Sequence, residues 1–247
     1  MKITKPEVID MPSPNKNPRP EGSQINTIVL HHTASKAEAK STGKFFQDPA
    51  SKVSAHYTVD RTGYIVQSVS DAEASWHAGK SEFNGVANVN VFSIGIEICN
   101  VGDNIEAYPE AQYNAVIKLV SYLVKTYNVP LANITRHRDV AIPAGRKTDT
   151  SDNFSTKKVI DGVKLALKGK FTAVEKPYKP TSIPNTLAVV LEKDMTAKDI
   201  ADVYLDNEVR ENEISYLNPK LEGNIKSGTV VKIPADYNYF YQLRKKN

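Results

Sequence analysis

The chain has 247 residues, of which 40% are hydrophobic and 24% charged, and a net charge of +4. These proportions belong to a globular protein with a real core and exclude disordered and fibrous classes, and the length suits one large domain plus a small one. The longest apolar runs, Leu187 to Leu191 and Val91 to Ile98, fall far short of the roughly 18 residues of a membrane span, so no membrane insertion is expected. With Cys99 as the sole cysteine, an intramolecular disulfide and a thiolate metal cluster are both excluded, and any metal must sit on histidines and carboxylates.

Residues 1–24 are rich in proline, charge and asparagine and lack apolar periodicity, which predicts an extended arm wrapping a domain that starts near Ile25. Prolines and charges stand where a signal peptide would carry its apolar stretch, so no secretion signal is expected there. INTIVLHH reads as the first strand, ending on His31 and His32, and a helical stretch follows around Lys40 to Gln47. HYTVD and YIVQSV flank Arg61, Thr62 and Gly63, the pattern of an antiparallel hairpin with glycine where a positive φ is required. In VNVFSIGIEIC, alternation puts Phe92, Ile94, Ile96 and Ile98 on one face and Ser93, Gly95, Glu97 and Cys99 on the other.

From Pro109 to Tyr127, apolar residues recur at helical spacing behind a proline start. A further amphipathic segment, with Val159, Ile160, Val163 and Leu167 on one side, ends at Gly169. Three prolines between Glu175 and Pro184 predict an extended spacer, and TLAVVL, two short helices and TVVKI give a strand, helix, helix, strand order beyond it. The boundaries expected are an arm at 1–24, a main domain at 25–170, a linker at 171–185 and a small domain at 186–247, whose tail DYNYFYQLRKKN is aromatic then basic. The expected architecture is α/β: a mixed central sheet covered by helices, with a groove across the strand ends, followed by a small β-α-α-β unit.

Two of the five histidines stand out for chemistry. His31 closes an apolar strand, and His137 lies in TRHRDV with Asp149 following in GRKTDT. Two imidazoles and a carboxylate are a ligand set of catalytic zinc, with one position left for water. Spacing alone leaves the question open, because a histidine at a strand end is more often a hydrogen-bonded structural residue, and Glu97 could equally sit in a salt bridge.

The ordered series IVLHHTA, SAHYTVDRTG, WHAG, SIGIEI, TRHRD and GRKTD resembles the type 2 N-acetylmuramoyl-L-alanine amidases, a family that includes peptidoglycan recognition proteins and phage lysozyme-like amidases. The resemblance spans roughly Ile25 to Gly169. It implies one Zn2+ held by His31, His137 and Asp149, with Glu97 activating the attacking water and Lys147 stabilising negative charge in the transition state. The implied reaction cuts the amide bond between N-acetylmuramic acid and L-alanine, with peptidoglycan glycan strands and stem peptides as partners. His32 points to the opposite face from His31 and reads as structural; His56 and His77 serve either packing or the substrate, and Trp76 with His77 are candidates for the cleft.

Residues 186–234, through TLAVVL, DMTAKDIADVY, ISYLNPKL and GTVVKIP, resemble a LysM module, which implies binding of N-acetylglucosamine chains, or else a small domain that packs on its neighbour. A monomer without nucleic-acid binding is expected. Three other readings stay open: a non-catalytic peptidoglycan receptor, a cytoplasmic amidase recycling muropeptides, and an endolysin. The wall-binding resemblance favours the cell wall, periplasm or exterior over the cytoplasm as the place of work.

Overall fold

The computed structural model describes residues 3–173, 186–205 and 210–234. In chain order, the arm supplies β1 (Ile9–Asp10) and β2 (Lys16–Pro18), and β3 (Thr27–His32) leads into α1 (Ala39–Gln47). The hairpin β4 (Tyr57–Val59) and β5 (Ile65–Gln67) follows, then the short strands β6 (Glu73–Ser75), β7 (Glu82–Phe83) and β8 (Val86–Ala87). Next come β9 (Ser93–Ile98), α2 (Glu110–Tyr127), β10 (Ile134–Arg136), α3 (His137–Val140) and α4 (Thr156–Leu167). The small unit comprises β11 (Thr186–Val190), α5 (Ala197–Leu205), α6 (Glu211–Leu217) and β12 (Val230–Pro234).

All six residues of β3 are buried, so this strand has to lie inside a sheet with both faces covered. It does: the six-stranded sheet runs β1-β5-β4-β9-β3-β10 and is mixed, the β4–β5 pair being antiparallel and the other neighbours parallel. Ile28 and Leu30 of β3 and Ile94, Ile96 and Ile98 of β9 pack against Leu119 and Leu123 of α2 in the main core. Against the other face lie Val29, Ala78, Val89 and Val140. α4 closes on α2 where Gly162 leaves no side chain, since a Cβ there would sit 2.6 Å from Ile117.

Two expectations about packing faces change. Phe92 precedes β9 and ends a 3-10 turn, with φ −121° and ψ 15°, so the strand alternation does not reach it and it packs with Val29 and Val89 on the face opposite the isoleucines. Leu167 is 43% exposed because the buried stripe of α4 runs through Val159, Gly162, Val163 and Ala166, which leaves the adjacent position turned outward.

The arm is extended and tied down by polar contacts. β1 joins the sheet edge beside β5, β2 pairs with β6, and the buried Asn15 amide donates to the carbonyls of Asp48 at 2.9 Å and Val53 at 3.2 Å. In the small unit β11 and β12 pair antiparallel, and α5 and α6 pack on them through a separate core that includes Leu191, Ile200, Ile214 and Val231. The proline spacer from Glu175 to Pro184 and the tail DYNYFYQLRKKN lie outside the described residues.

Gly63 turns the β4–β5 hairpin at φ +89°, and a Cβ there would approach the Ala111 carbonyl oxygen to 2.8 Å. Gly63→Ala should therefore lower stability by about 1–3 kcal/mol. Urea unfolding should show a reduced midpoint with an unchanged slope; a midpoint equal to wild type would show that the turn carries no such constraint.

Candidate metal and catalytic site

Parallel register assembles the site. β3 pairs with β9 so that His31 stands opposite Glu97, and with β10 so that Leu30 stands opposite Arg136. The residue after Arg136, His137, thus arrives beside His31 although 106 positions separate them. Asp149 comes from the loop after α3, and Arg138 holds that loop: its guanidinium donates to the carbonyls of Thr148 at 2.8 Å and Thr150 at 2.6 Å, on either side of Asp149. Arg146 ties the same loop across the cleft, donating to the carbonyls of Ala78 at 3.1 Å and Lys80 at 2.7 Å. Neither arginine was singled out from sequence. Arg146 does stand inside GRKTD, whose charge pattern was the available signal.

His31, His137 and Asp149 converge and are all buried. His31 Nδ1, His137 Nδ1 and Asp149 Oδ2 are 3.0 Å from one another. His137 Nε2 lies 3.1 Å from the Ala78 carbonyl, which can only accept, so the ring proton sits on Nε2 and the Nδ1 lone pair faces the cluster. His31 Nε2 is engaged by His77 Nδ1 at 2.9 Å. Burial pushes the His31 pKa down to about 4, so the imidazole is neutral at pH 7. With the Nδ1 lone pair of His31 also turned inward, the three atoms form a donor set that a cation among them would satisfy. Their spacing is near the about 3.4 Å edge of a tetrahedron built on bonds of about 2.1 Å, and two imidazole nitrogens with one carboxylate oxygen suit zinc. The donor set therefore fits a metal ion.

Glu97 is 17% exposed, its Oε1 is 4.0 Å from His31 Nδ1, and its buried Oε2 has no hydrogen-bond partner among the described residues. Burial raises the Glu97 pKa to about 8; the Asp149 charge adds to this and the Lys147 charge opposes it. The exposed Lys147 lines a cleft of about 580 Å³ that also contains Glu97 and the three converging residues. Trp76 and His77 line it too, as do Phe45 and Val53, apolar residues that are 52% and 40% exposed. Trp76 is anchored by its indole N–H to Asn17 of the arm. His32 points away from the cluster, its Nδ1 accepting the Ser151 N–H at 3.0 Å. His56 is fully buried and braces the sheet, its Nδ1 accepting the Gly95 N–H at 3.0 Å and its Nε2 meeting the Glu73 carbonyl.

With that geometry in hand, sequence comparison is decisive: residues 21–152 match the profile of the N-acetylmuramoyl-L-alanine amidases. The chain belongs to this type 2 amidase family. The amidase segment is 31% identical over 169 residues to the 1,6-anhydro-N-acetylmuramyl-L-alanine amidase AmpD of Haemophilus influenzae, an alignment covering 62% of this chain and 90% of that protein. The AmpD of Escherichia coli is 34% identical over 160 residues, covering 58% of this chain and 85% of that one. Among solved structures, a selenomethionine derivative of AmpD superposes with a TM-score of 0.56 at 28% identity, covering 64% of this chain and 97% of that chain. AmpDh3 of Pseudomonas aeruginosa, crystallised with an anhydromuramic pentapeptide, gives 0.50 at 28% identity, covering 57% and 61%. The unit spanning 186–234 lies beyond the amidase profile.

The raised Glu97 pKa makes a statement about stability. In the metal-free protein, folded Glu97 keeps its proton between its ordinary pKa, near 4.5, and about 8, whereas the unfolded chain has lost it, so this group's contribution falls as pH rises through that window. Chelated Glu97→Gln should thus gain thermal stability over chelated wild type progressively from pH 5 to pH 8, with a constant difference above that. A pH-independent difference across the window would mean that Glu97 titrates normally.

Proposed function

We propose that the protein is a zinc-dependent N-acetylmuramoyl-L-alanine amidase, hydrolysing the amide bond between the lactyl group of N-acetylmuramic acid and the L-alanine of the stem peptide. The observation that carries this reading is the convergence of two imidazoles and a carboxylate beside Glu97, whose buried Oε2 has no hydrogen-bond partner among the described residues, in an open cleft. His31, His137 and Asp149 hold the metal. When bound, zinc lowers the pKa of water to about 7 and polarises a carbonyl. Glu97, whose Oε1 stands 4.0 Å from His31 Nδ1, accepts the proton of the attacking water and returns it to the departing alanine nitrogen. Lys147 offers its ammonium to the oxyanion that develops as the carbonyl becomes tetrahedral. Phe45, Val53 and Trp76 give the cleft an apolar wall against which sugar faces can lie.

Two substrate forms compete. The AmpD relatives are named for the 1,6-anhydro sugar, and the AmpDh3 structure holds an anhydromuramic pentapeptide, which favours soluble fragments and a recycling role in the cytoplasm. The β-α-α-β unit favours polymer: it has the element order of a LysM module, with its own core, and on that reading it retains the enzyme on N-acetylglucosamine chains of the wall. A receptor that only binds is disfavoured by the full set of metal ligands, base and lysine.

Digestion of purified sacculi and of a soluble anhydromuropeptide, read by mass spectrometry, tests the assignment. Release of peptides with a free alanine amine should stop on chelation and return with zinc. Glu97→Gln should retain zinc and lose about 10²–10⁴-fold in rate, and Lys147→Ala about 10²–10³-fold. Glu97→Gln at wild-type rate with zinc bound would remove the assigned base, and binding without cleavage would leave the receptor. Ending the chain after residue 173 should weaken retention on sacculi while sparing cleavage of the soluble fragment; unchanged retention would take glycan binding away from the small unit.

A further inference from the structure

His77 lies at the floor of the cleft, 9% exposed, and its hydrogen bonds run away from the substrate side. Ser93 Oγ is 2.6 Å from the Val89 carbonyl, a contact that requires the hydroxyl proton to lie between them. Having given up its one proton, Ser93 Oγ can only accept from His77 Nε2, which is 3.0 Å away. His77 Nε2 therefore carries the ring proton. The ring is almost fully buried, its polar partners are His31 and Ser93, and no carboxylate among the described residues contacts it to stabilise a second proton, so Nδ1 keeps its lone pair. That lone pair faces His31 Nε2 at 2.9 Å and obliges His31 to bear its own proton there. The order of donors is then fixed from end to end: His31 donates to His77, His77 to Ser93, and Ser93 to the Val89 carbonyl.

The alternative tautomer of His31 has an obvious attraction. A proton on Nδ1 would point at Asp149 Oδ2, 3.0 Å away, and the ligand set would satisfy itself with a hydrogen bond instead of a metal. His137 is guarded against this by a backbone carbonyl, since Ala78 can only accept. Among the described residues no carbonyl reaches His31 Nε2 in this way; His77 takes that place, held edge-on at an interplanar angle of 89°. Gly95 makes the space, because a Cβ at that position would lie 2.4 Å from the His77 ring.

We propose that His77 is a positioning residue that holds His31 in the Nε2–H tautomer through Ser93 and the Val89 carbonyl, and so presents the Nδ1 lone pair to the metal. This rests on the metal reading of the site, but the tautomer can be read without metal. In metal-free protein labelled with 15N-histidine, long-range 1H–15N spectra should show His31 protonated on Nε2 in wild type. His77→Phe should move that proton to Nδ1, wholly or in part. Zinc affinity, measured by competition with a chromophoric chelator, should fall by about 10–100-fold, the usual cost of losing a partner behind a ligand.

His77→Gln, whose amide oxygen can accept from His31 while its nitrogen donates to Ser93, should recover most of the affinity. Ser93→Ala releases the order of the chain without removing a ring, should weaken zinc less than His77→Phe, and guards against a variant that fails to fold. An unchanged His31 tautomer in both His77→Phe and Ser93→Ala, or zinc affinity within twofold of wild type in both, overturns the proposal. Wild type that shows the Nε2–H tautomer but binds no zinc overturns the metal reading and leaves the tautomer control standing.

Discussion

Everything at the site depends on the parallel pairing of β3 with β9 on one side and β10 on the other. Parallel strands in register deliver the ends of distant sequence segments to one edge of a sheet, and here that edge receives His31, Glu97 and His137 together. A slip of one residue in β3 would turn His31 into the core and bring Leu30 to the cleft, because alternate side chains face opposite sides. The apolar residues of β3 and β9 resist that slip: Ile28, Leu30, Ile94 and Ile96 are fully buried. The register that fills the core is thus the same register that aligns the chemistry.

Asp149, the third of the converging residues, is held by a different physics. It sits in a loop outside the sheet, and two guanidinium groups hold the backbone around it. Arg138 bridges the carbonyls on either side of Asp149, and Arg146 reaches over to the Ala78 carbonyl, the group that also receives His137 Nε2–H. The loop and the WHAG segment are therefore coupled through one shared acceptor. Such a fork of donors suits the task, since a guanidinium can satisfy several carbonyls that would otherwise be left without partners away from water.

The arm has a comparable part in the cleft's opposite wall. Asn15 gathers the carbonyls of Asp48 and Val53, and Asn17 fixes the Trp76 indole, so residues that precede β3 shape the surface facing the site. Phe45 and Val53 line the cleft and are exposed there, and the Asn15 amide holds the Val53 carbonyl from behind.

By itself the sequence determined the elements and the cast. Apolar alternation in INTIVLHH and SIGIEI, helical spacing after Pro109, and glycine at the hairpin follow from local rules, and they located the main strands and helices and put Glu97 on the face away from the isoleucines. The ordered motifs pointed to the family. Local pattern went astray where an element ended, at Phe92 before β9 and at Leu167 in the last turn of α4, because periodicity carries no information on where a strand stops or how wide a buried stripe is. Only the tertiary structure decided which atoms face each other: that Nδ1, and not Nε2, of both histidines turns to Asp149, that Arg138 and Arg146 clamp the loop that carries Asp149, and that His77 engages His31. Those outcomes depend on hydrogen bonds between residues from 10 to 118 positions apart, whose geometry exists only once the sheet has formed.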